Sequence, residues 1–517
     1  MKHFEHIALI LTSVAFIYMF SYSTSPRYEF LGDDSAIFQA VGSSWAQGYL
    51  PYVDLFENKG PLIFLIDALG YAITPCVGIM LLQIPAMYVA LLFMWRTLSL
   101  YLSGKSRLAT MTITLIYYAA YYLDGNRTEE WSMPFLSAAM YFFLRGLKNS
   151  QWSPYVGLID GIGFGACILL RATNAMPLCC CVLLSAIFLI RDGKLKLLRQ
   201  NVLTFCAGVA VMLLPFVIYF AAHGALYDML YGTIILNVAY TTGGESYPLN
   251  EAFIMYIIVA FVPLLMLIAL SLPIIFKDTS RLTLSGIFIG GVMLMLMVKL
   301  RPYIGYCVLI VPTMPLMFIV ADRVIKIYRE PLKNLLSTKN FSLKRLAAKF
   351  FIVCFMFVSA FYAYIYVTNI STKLTTIAVL EDWAKDEPDE MLRLKAMIPA
   401  AERDSFVTWG RSGFIARWIL ITGMKSRENF FGYIKSFGAV DPSVRKNWFA
   451  DVQSNPPQWI LYCWKMNELY TADKDSVELK FLSNKDAELE KFLQEKYTLA
   501  AMEKFSMQIV KLYRLKE

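Results

Sequence analysis

The feature that most constrains this sequence is a series of apolar runs, each about 18 to 25 residues long. A helix of about 20 apolar residues crosses the hydrocarbon core of a bilayer, which is roughly 30 Å thick. We therefore predict a polytopic, mainly α-helical membrane bundle of about eleven spans. The first run has a short basic start and no small-residue cleavage site, which is typical of a retained span. The runs lie near 7–22, 78–101, 108–123, 131–147, 155–171, 173–190, 201–221, 252–276, 282–299, 303–321 and 350–369.

The segment 61–77 decides the topology, because it is apolar but short and carries Asp67 in its middle. If it lies flat on the membrane, the side of the N-terminus collects 20 of the 26 basic and 6 of the 18 acidic residues of 1–370. Cytoplasmic loops are enriched in Lys and Arg. We therefore predict a cytoplasmic N-terminus, an extracytoplasmic first loop over 23–77 with interfacial helices, and an extracytoplasmic C-terminus. The net charge of +9 then reflects membrane orientation, and nucleic acid is not expected as a partner.

The tail, residues 371–517, is predicted to be a small extracytoplasmic α/β domain, separate from a membrane domain over 1–370. It holds 22 basic and 21 acidic residues and is therefore nearly neutral. Short β-like runs occur at 404–410, 457–464 and 497–515, and 476–496 has a helical pattern. At roughly 150 residues, the tail is long enough to bury a core of its own.

The first outer loop is unusually acidic for a chain that is 57% hydrophobic and 17% charged. Its sequence, GDDSAIFQAVGSSWAQGYLPYVDLFENKGPL, places Asp33 and Asp34 directly after the first span. Ionisable residues at membrane depth are costly, so such clusters indicate functional sites. Capping of the following helix by one aspartate is the structural alternative. Lys59 suits a phosphate oxygen as a mobile point charge, or it is an interfacial lysine paired with Glu57. Tyr52 suits either a sugar platform or an interfacial aromatic belt.

Two further clusters are predicted at the outer ends of spans. Glu129 and Glu130 lie in LDGNRTEEWSMPF, the short loop after the third span, where capping of the next helix is the alternative. Arg301 lies beside Tyr303 in VKLRPYIGYCVLIVP, and arginine binds phosphate in a bidentate fork. For Arg171 we favour snorkelling at a span end or pairing with an outer acid.

Several site types have no support in the sequence. There is no G-x-x-x-x-G-K-[ST] loop for ATP-driven transport, and no Ser/His/Asp set or metal-ligand run is evident. The glycine pattern of GLIDGIGFGA lies inside a span and favours close helix packing. No metal site is predicted, although the sequence does not decide whether a divalent metal takes part.

Four stretches together resemble bacterial GT-C glycosyltransferases, in particular the aminoarabinose transferase and protein O-mannosyltransferase branch. They are the first outer loop, the acidic loop after the third span, RATN at an outer helix end, and LRPYIGYCVLIVP. The likeness covers 1 to about 370 and the general plan of the tail. It implies a multi-pass enzyme of the bacterial cytoplasmic (inner) membrane. Such an enzyme moves a sugar from a polyprenyl-phosphate donor to a hydroxyl or amine of an envelope glycan, lipid or protein.

The resemblance also assigns roles to residues. The family has an acidic residue, often in an Asp-Glu pair, that acts at the acceptor, and Asp33–Asp34 match this position. A Glu-Lys-Pro element supplies a lysine for the donor phosphate, and here the stretch reads Glu-Asn-Lys-Gly-Pro. The second acidic position falls on Glu129–Glu130, where the family more often has Asp. We expect Asp33 to be the base, which takes the proton of the acceptor, and a cation to neutralise the phosphate. The expected catalytic acids are Asp33, Asp34, Glu129 and Glu130, of which Glu130 orients the acceptor or a metal. Lys59 and Arg301 are expected to bind the donor phosphate. Glu57, Tyr52 and Tyr303 are expected to contact the substrate.

The main alternative is a transporter or flippase of lipid-linked sugars. Such proteins have repeated halves, broken helices and charges at the membrane midplane, whereas here the charges gather at the outer surface. An envelope polymerase or ligase would share the donor class and differ in the acceptor. A non-enzymatic scaffold has little need for clustered acids and cations in a membrane.

The predicted topology is testable with single cysteines introduced as Ser150→Cys and Thr471→Cys. We expect a membrane-impermeant thiol reagent to label the second in intact cells and to label the first only after permeabilisation. Labelling of both sites, or of the first alone, in intact cells would contradict the predicted orientation.

Overall fold

A computed structural model describes residues 3–28, 31–150, 152–242, 280–299, 304–337, 343–429, 441–465, 487–505 and 508–517. The chain divides into two compact units. The first consists of Met1–Ser21, Leu82–Val217 and Ser246–Thr375. The second consists of Tyr22–Leu81, Ile218–Glu245 and Thr376–Glu517, so it combines the first outer loop with residues 218–245 and with the tail from residue 376 onward.

Most described residues are helical. Up to residue 242 the α-helices are α1 (His3–Phe20), α2 (Asp34–Ala46), α3 (Pro61–Ile73), α4 (Val77–Tyr101), α5 (Gly104–Tyr121), α6 (Thr128–Asn149), α7 (Pro154–Leu170), α8 (Met176–Arg191), α9 (Leu195–Ala222), α10 (Leu226–Leu230) and α11 (Leu236–Thr242). Those that follow are α12 (Arg281–Lys299), α13 (Met314–Ser337), α14 (Leu343–Ala384), α15 (Glu387–Ala396), α16 (Ser412–Thr422), α17 (Pro442–Ser454) and α18 (Ala487–Lys496). The strands are β1 (Phe406–Gly410), β2 (Trp459–Lys465), β3 (Tyr497–Phe505) and β4 (Gln508–Leu515).

The helical membrane class predicted from the apolar runs is confirmed. Within the described ranges, 5 helical segments are long and apolar enough to cross a membrane, namely His3–Phe20, Val77–Tyr101, Ala172–Arg191, Leu195–Ala222 and Gly305–Pro331. Helix α3 has 13 residues, which corresponds to about 20 Å. This length is less than the roughly 30 Å of a hydrocarbon core, and the surface position of 61–77 stays a prediction. The predicted span 252–276 lies outside the described residues, and the total of about eleven spans stays a prediction.

Two predicted spans begin differently from an ordinary α-helix. A 3₁₀ segment, Ile304–Thr313, precedes α13 and contains Pro312, which has no N–H to donate to a helix. Another 3₁₀ segment, Ala172–Ala175, precedes α8. Helix α14 has 42 residues and continues well beyond the predicted span 350–369. The predicted domain border at 370–371 therefore lies inside a continuous helix.

Close packing in the first unit uses the glycines of α7, as the sequence predicts. A Cβ atom on Gly161 would lie 2.1 Å from the carbonyl oxygen of Phe205 on α9, and one on Gly157 would lie 2.2 Å from that of Asn201. Because real side chains do not approach so closely, these positions require glycine for the two helices to touch.

The tail contains a four-stranded sheet in the order β1-β2-β4-β3. Strand β1 pairs in parallel with β2, Val407 opposite Ile460, and the other two pairings are antiparallel. The strands predicted from the sequence are thus present, and α18 covers the described part of the predicted helix 476–496. Gly410 ends β1 with φ 132°, a backbone angle that favours glycine. The core of the sheet and its helices consists of Val407, Trp409, Trp448, Phe449, Val452, Ile460, Tyr462, Leu489, Phe492, Leu493 and Tyr497.

The first outer loop folds mainly as α2 and α3, which pack against each other. At their crossing, a Cβ on Gly42 would lie 2.4 Å from Cβ of Asp67. Helix α16 of the tail also packs against α2. The N-terminal ends of α2 and α16 meet at Asp33, since a Cβ on Gly413 would lie 2.4 Å from Oδ1 of that residue. This packing places the acids of the outer loop beside side chains of the tail.

Candidate functional site

The residues predicted for the site belong to both units. The second unit holds Asp33, Asp34, Tyr52, Glu57 and Lys59, and the first unit holds Glu129 and Glu130. Arg301 and Tyr303 lie outside the described residues.

Asp33 is held by two arginines of the tail. It precedes α2, but its side chain makes no capping hydrogen bond, so the capping interpretation is wrong for this residue. Instead Oδ2 accepts a hydrogen bond from Arg411, and Oδ1 accepts one from Nη1 of Arg417 at 3.1 Å. The carboxylate still has 38% of its side-chain surface exposed. Asp33 is therefore oriented by charged partners and accessible at the same time.

Further hydrogen bonds hold the side chain of Arg417 in place. Its side chain is 5% exposed, and its Nε donates to Oε2 of Glu387 at 3.2 Å. Its Nη1 also donates to the carbonyl oxygen of Gly32 at 3.4 Å. The sequence analysis missed both arginines of this cluster, because Arg411 and Arg417 lie 378 and 384 residues from Asp33. No local spacing connects residues so far apart in the chain.

Glu57 and Lys59 form the ion pair that the sequence analysis offered as one interpretation. Nζ of Lys59 lies 3.4 Å from Oε1 of Glu57 and donates to Oδ1 of Asn58 at 2.7 Å. Lys59 is 22% exposed and Glu57 is 1% exposed. Among the described residues, Oε2 of Glu57 is buried and has no hydrogen-bond partner.

The electrostatics of Glu57 follow from this burial. Loss of hydration raises the pKa of Glu57 above its usual range, the charge of Lys59 lowers it, and the charge of Asp34 raises it again. Burial is the largest of these effects, so the net direction is upward. A buried carboxylate with a raised pKa is typical of functional sites.

The loop that carries Lys59 is braced by Tyr52 and by α11. The hydroxyl of Tyr52 donates to the carbonyl oxygen of Lys59 at 2.7 Å, and its ring, 1% exposed, packs against Phe64 and Phe220. Asn237 donates to the carbonyl oxygen of Asn58 at 2.7 Å. Tyr52 thus shapes the loop, and its predicted contact with a substrate stays a prediction.

In the first unit, Glu129 pairs with Arg171. Nη1 of Arg171 lies 3.0 Å from Oε1 of Glu129, so this arginine pairs with an acid, which is one of the two alternatives that the sequence left open. The guanidinium group of Arg171 also contacts the hydroxyl of Tyr306 and lies 4.6 Å from the centre of its ring. Oε2 of Glu129 accepts a hydrogen bond from the hydroxyl of Thr128 at 3.1 Å.

Both carboxylate oxygens of Glu130 accept hydrogen bonds from its own unit. Its Oε1 accepts hydrogen bonds from Tyr122 at 2.7 Å and from Gln83 at 3.0 Å, and its Oε2 accepts from the backbone N–H of Asn126 at 2.8 Å. A carboxylate with this many donors holds the start of α6 in place. Both glutamates line a cleft whose other residues are Tyr122, Leu123, Gly125, Arg127, Gly305 and Val308.

Lys373 is a further charged residue of the first unit. Its Nζ is buried and has no hydrogen-bond partner among the described residues. The ammonium lies 5.1 Å from the centre of the Tyr122 ring and 5.4 Å from that of Phe20. The sequence analysis assigned Lys373 to the tail, because it did not predict that α14 continues beyond 370.

The described part of the chain contains no evident metal centre. Across the described ranges, no three His, Cys, Asp or Glu side chains converge as metal ligands.

Comparisons with known proteins give a family match over part of the chain and a similar fold. The family described as dolichyl-phosphate-mannose-protein mannosyltransferase, a GT-C family, matches residues 58–220. The fold is similar to that of an Archaeoglobus fulgidus oligosaccharyltransferase in a complex with zinc and sulfate, with a TM-score of 0.51 and 11% identity over 88% of this chain and 67% of that one. A second structure from this organism, oligosaccharyltransferase AglB with an inhibitory peptide and a dolichol-phosphate, has a TM-score of 0.45 and 10% identity over 89% and 70% of the two chains. No curated protein matches the chain.

The raised pKa of Glu57 predicts a pH-dependent effect of Glu57→Gln on stability. A carboxyl group whose pKa is raised in the fold stabilises it below the unfolded pKa and loses that contribution as pH rises through the folded pKa. Glutamine resembles the neutral acid at every pH. We therefore expect the Tm of Glu57→Gln, relative to that of the wild type, to increase from about pH 4 to pH 8.

Thermal unfolding of the purified full-length protein in detergent measures this difference. The difference in Tm between Glu57→Gln and the wild type at about pH 4, where Glu57 is neutral, is the internal reference. It measures the effect of the altered hydrogen-bonding geometry apart from the effect of charge. A relative Tm that falls as pH rises would show that the ionised form of Glu57 is the favoured one.

Proposed function

We propose that the chain is a glycosyltransferase of the GT-C superfamily that transfers a sugar from a polyprenyl-phosphate donor to an extracytoplasmic acceptor. The acceptor is a hydroxyl or amine of an envelope glycan, lipid or protein, and the setting is a bacterial inner membrane. The observation that carries the proposal is the Glu57–Lys59 pair in the outer loop, beside the start of the family match at residue 58.

Lys59 suits a phosphate because its described contacts do not use all of its N–H donors. An ammonium group has three N–H donors, and the described contacts of Nζ are to Glu57 and Asn58. With 22% of its side chain exposed, Lys59 can offer its remaining donor to an incoming oxygen. The name of the matched family, which refers to a dolichyl-phosphate sugar, supports a lipid phosphate as the donor class.

Asp33 suits the role of general base. In the proposed step, the acceptor oxygen or nitrogen forms a bond to C1 of the sugar while the bond between C1 and the phosphate oxygen breaks. Polyprenyl phosphate leaves with the bonding electrons, and Asp33 takes the proton of the acceptor. Arg411 and Arg417 use two of the roughly four acceptor positions of its carboxylate, and its partial exposure leaves the others available.

Of the two glutamates in the loop after the third predicted span, Glu129 is the better match to the second acidic position of the family. Glu130 is saturated by donors from its own unit, whereas Glu129 has one ion pair and one hydroxyl contact. The roles of Arg301 and Tyr303 at the donor stay predictions from the sequence.

The base assignment predicts that Asp33→Asn reduces transfer by about 10²- to 10⁴-fold, the usual contribution of a general base. The assay uses the full-length protein in proteoliposomes, with a panel of polyprenyl-phosphate sugars and extracted envelope material as the acceptor. The release of polyprenyl phosphate measures turnover. Asp54→Asn is the matched control, because it removes an exposed carboxylate from the same loop and is expected to leave turnover unchanged.

Normal turnover of Asp33→Asn would refute the base assignment. If no donor in the panel releases polyprenyl phosphate but labelled lipid-linked sugar crosses the vesicle membrane, the chain is a flippase and the proposed reaction is wrong.

The phosphate assignment predicts that Lys59→Gln raises KM for the donor at least about tenfold, because a charge-assisted hydrogen bond of about 1.5–3 kcal/mol is lost. Lys59→Arg keeps the charge and is expected to recover part of the affinity. Lys504→Gln, at an exposed position on β3, is the control for the loss of one cation from the second unit. An unchanged donor KM in Lys59→Gln would assign the phosphate contact to another residue.

A further inference from the structure

We propose that Arg411 and Arg417 of the tail are positioning residues for the carboxylate of Asp33, so that the tail completes the catalytic site. This inference rests on the proposed function, which assigns Asp33 as the base. It gives the tail a direct part in the reaction, although the family match ends at residue 220.

The geometry separates the two arginines into a fixed and an accessible partner. Arg417 is 5% exposed, and Glu387, itself 4% exposed at the side chain, holds its Nε at 3.2 Å. Its Nη1 then reaches Oδ1 of Asp33 at 3.1 Å. Arg411 is 20% exposed and contacts the other carboxylate oxygen, Oδ2. The two contacts together determine both the position and the rotation of the carboxylate plane.

The backbone of α16 is adapted to this contact. Arg411 follows β1 directly and precedes α16, and Gly413 lies in the first turn of that helix. A Cβ atom at Gly413 would lie 2.4 Å from Oδ1 of Asp33 and 2.9 Å from its Cγ. Only glycine therefore allows the helix to approach the carboxylate so closely. The approach brings both arginines, one before and one within α16, to the same acid.

Guanidinium groups suit a positioning role. Arginine presents a rigid, planar set of N–H donors that fixes the direction of a carboxylate, and it stays charged at all relevant pH values. A catalytic base must lie within hydrogen-bond reach of the proton that it takes, and a displacement of about 1 Å can reduce a rate by about 10²-fold. Loss of either arginine lets the Asp33 side chain rotate, while donor binding at Lys59 is left intact.

The test compares Arg417→Gln, Arg411→Gln and Arg417→Lys in the proteoliposome assay that measures release of polyprenyl phosphate. We expect Arg417→Gln to lower kcat by about 10- to 100-fold with the donor KM unchanged within about twofold. Arg411→Gln is expected to have a smaller effect of the same kind, and Arg417→Lys is expected to restore part of kcat. Arg445→Gln is the matched control, because it removes another arginine ion pair of the tail, with Glu488 at 3.0 Å.

A double mutant separates positioning from general support of the fold. If Arg417 acts through Asp33, adding Arg417→Gln to Asp33→Asn does not lower the residual rate further. If it lowers that rate by the same factor as in the wild type, the inference is wrong. Elution of each variant as a single peak in gel filtration, at the wild-type volume, shows that the fold is retained.

The remaining outcomes distinguish this inference from the proposed function. Wild-type kcat in both arginine variants, with Asp33→Asn inactive, would overturn the inference and leave the function standing. A raised donor KM with unchanged kcat in Arg411→Gln would assign this arginine to the donor phosphate and also overturn it. Normal turnover of Asp33→Asn would refute the base assignment itself, and the inference with it.

Discussion

Charge next to a bilayer is costly unless it is paired, and this constraint organises the acids of the outer loop and of the cleft. The pairing differs from one acid to the next. Glu130 is surrounded by donors and holds the start of a helix, whereas Asp33 is paired and still exposed. Glu57 is buried with one oxygen unpartnered among the described residues. The pairs are Asp33 with Arg411 and Arg417, Glu57 with Lys59, and Glu129 with Arg171.

The two kinds of cation in the second unit suit two different tasks. Arg417 is buried and held by Glu387, so its planar group can fix the direction of a carboxylate. Lys59 has a flexible stem, partial exposure and donors that are not all used, which suits an ion that arrives and leaves. Under the proposed function, the acid that takes the proton is held by arginine and the leaving phosphate is met by lysine. Exchanging the two residue types would weaken both tasks.

The sequence predicts those parts of the fold that depend on local pattern. Apolar runs predict helices, the glycines of α7 predict close helix packing, and short β-like runs predict the strands of the tail. The Glu57–Lys59 pair was also foreseeable, because its members are two residues apart. The arginines at Asp33 were not, since a contact across 378 residues depends on tertiary packing. The same limit applies to Lys373, which lies on a helix whose length no signal near residue 370 indicates.

The charge of Glu57 determines how strongly Lys59, which already has a partner, can stabilise a leaving phosphate. The phosphodiester of a polyprenyl-phosphate sugar carries one negative charge, and the phosphate monoester that leaves carries up to two, so the demand for positive charge grows during the reaction. An ionised Glu57 offsets the field of Lys59, whereas a neutral one does not. Burial and Asp34 already raise the pKa of Glu57, and an anion beside Lys59 raises it further through like-charge repulsion. Under the proposed function, binding of a phosphate and protonation of Glu57 therefore favour each other, and the lysine becomes a stronger counter-ion in the donor complex than in the free protein.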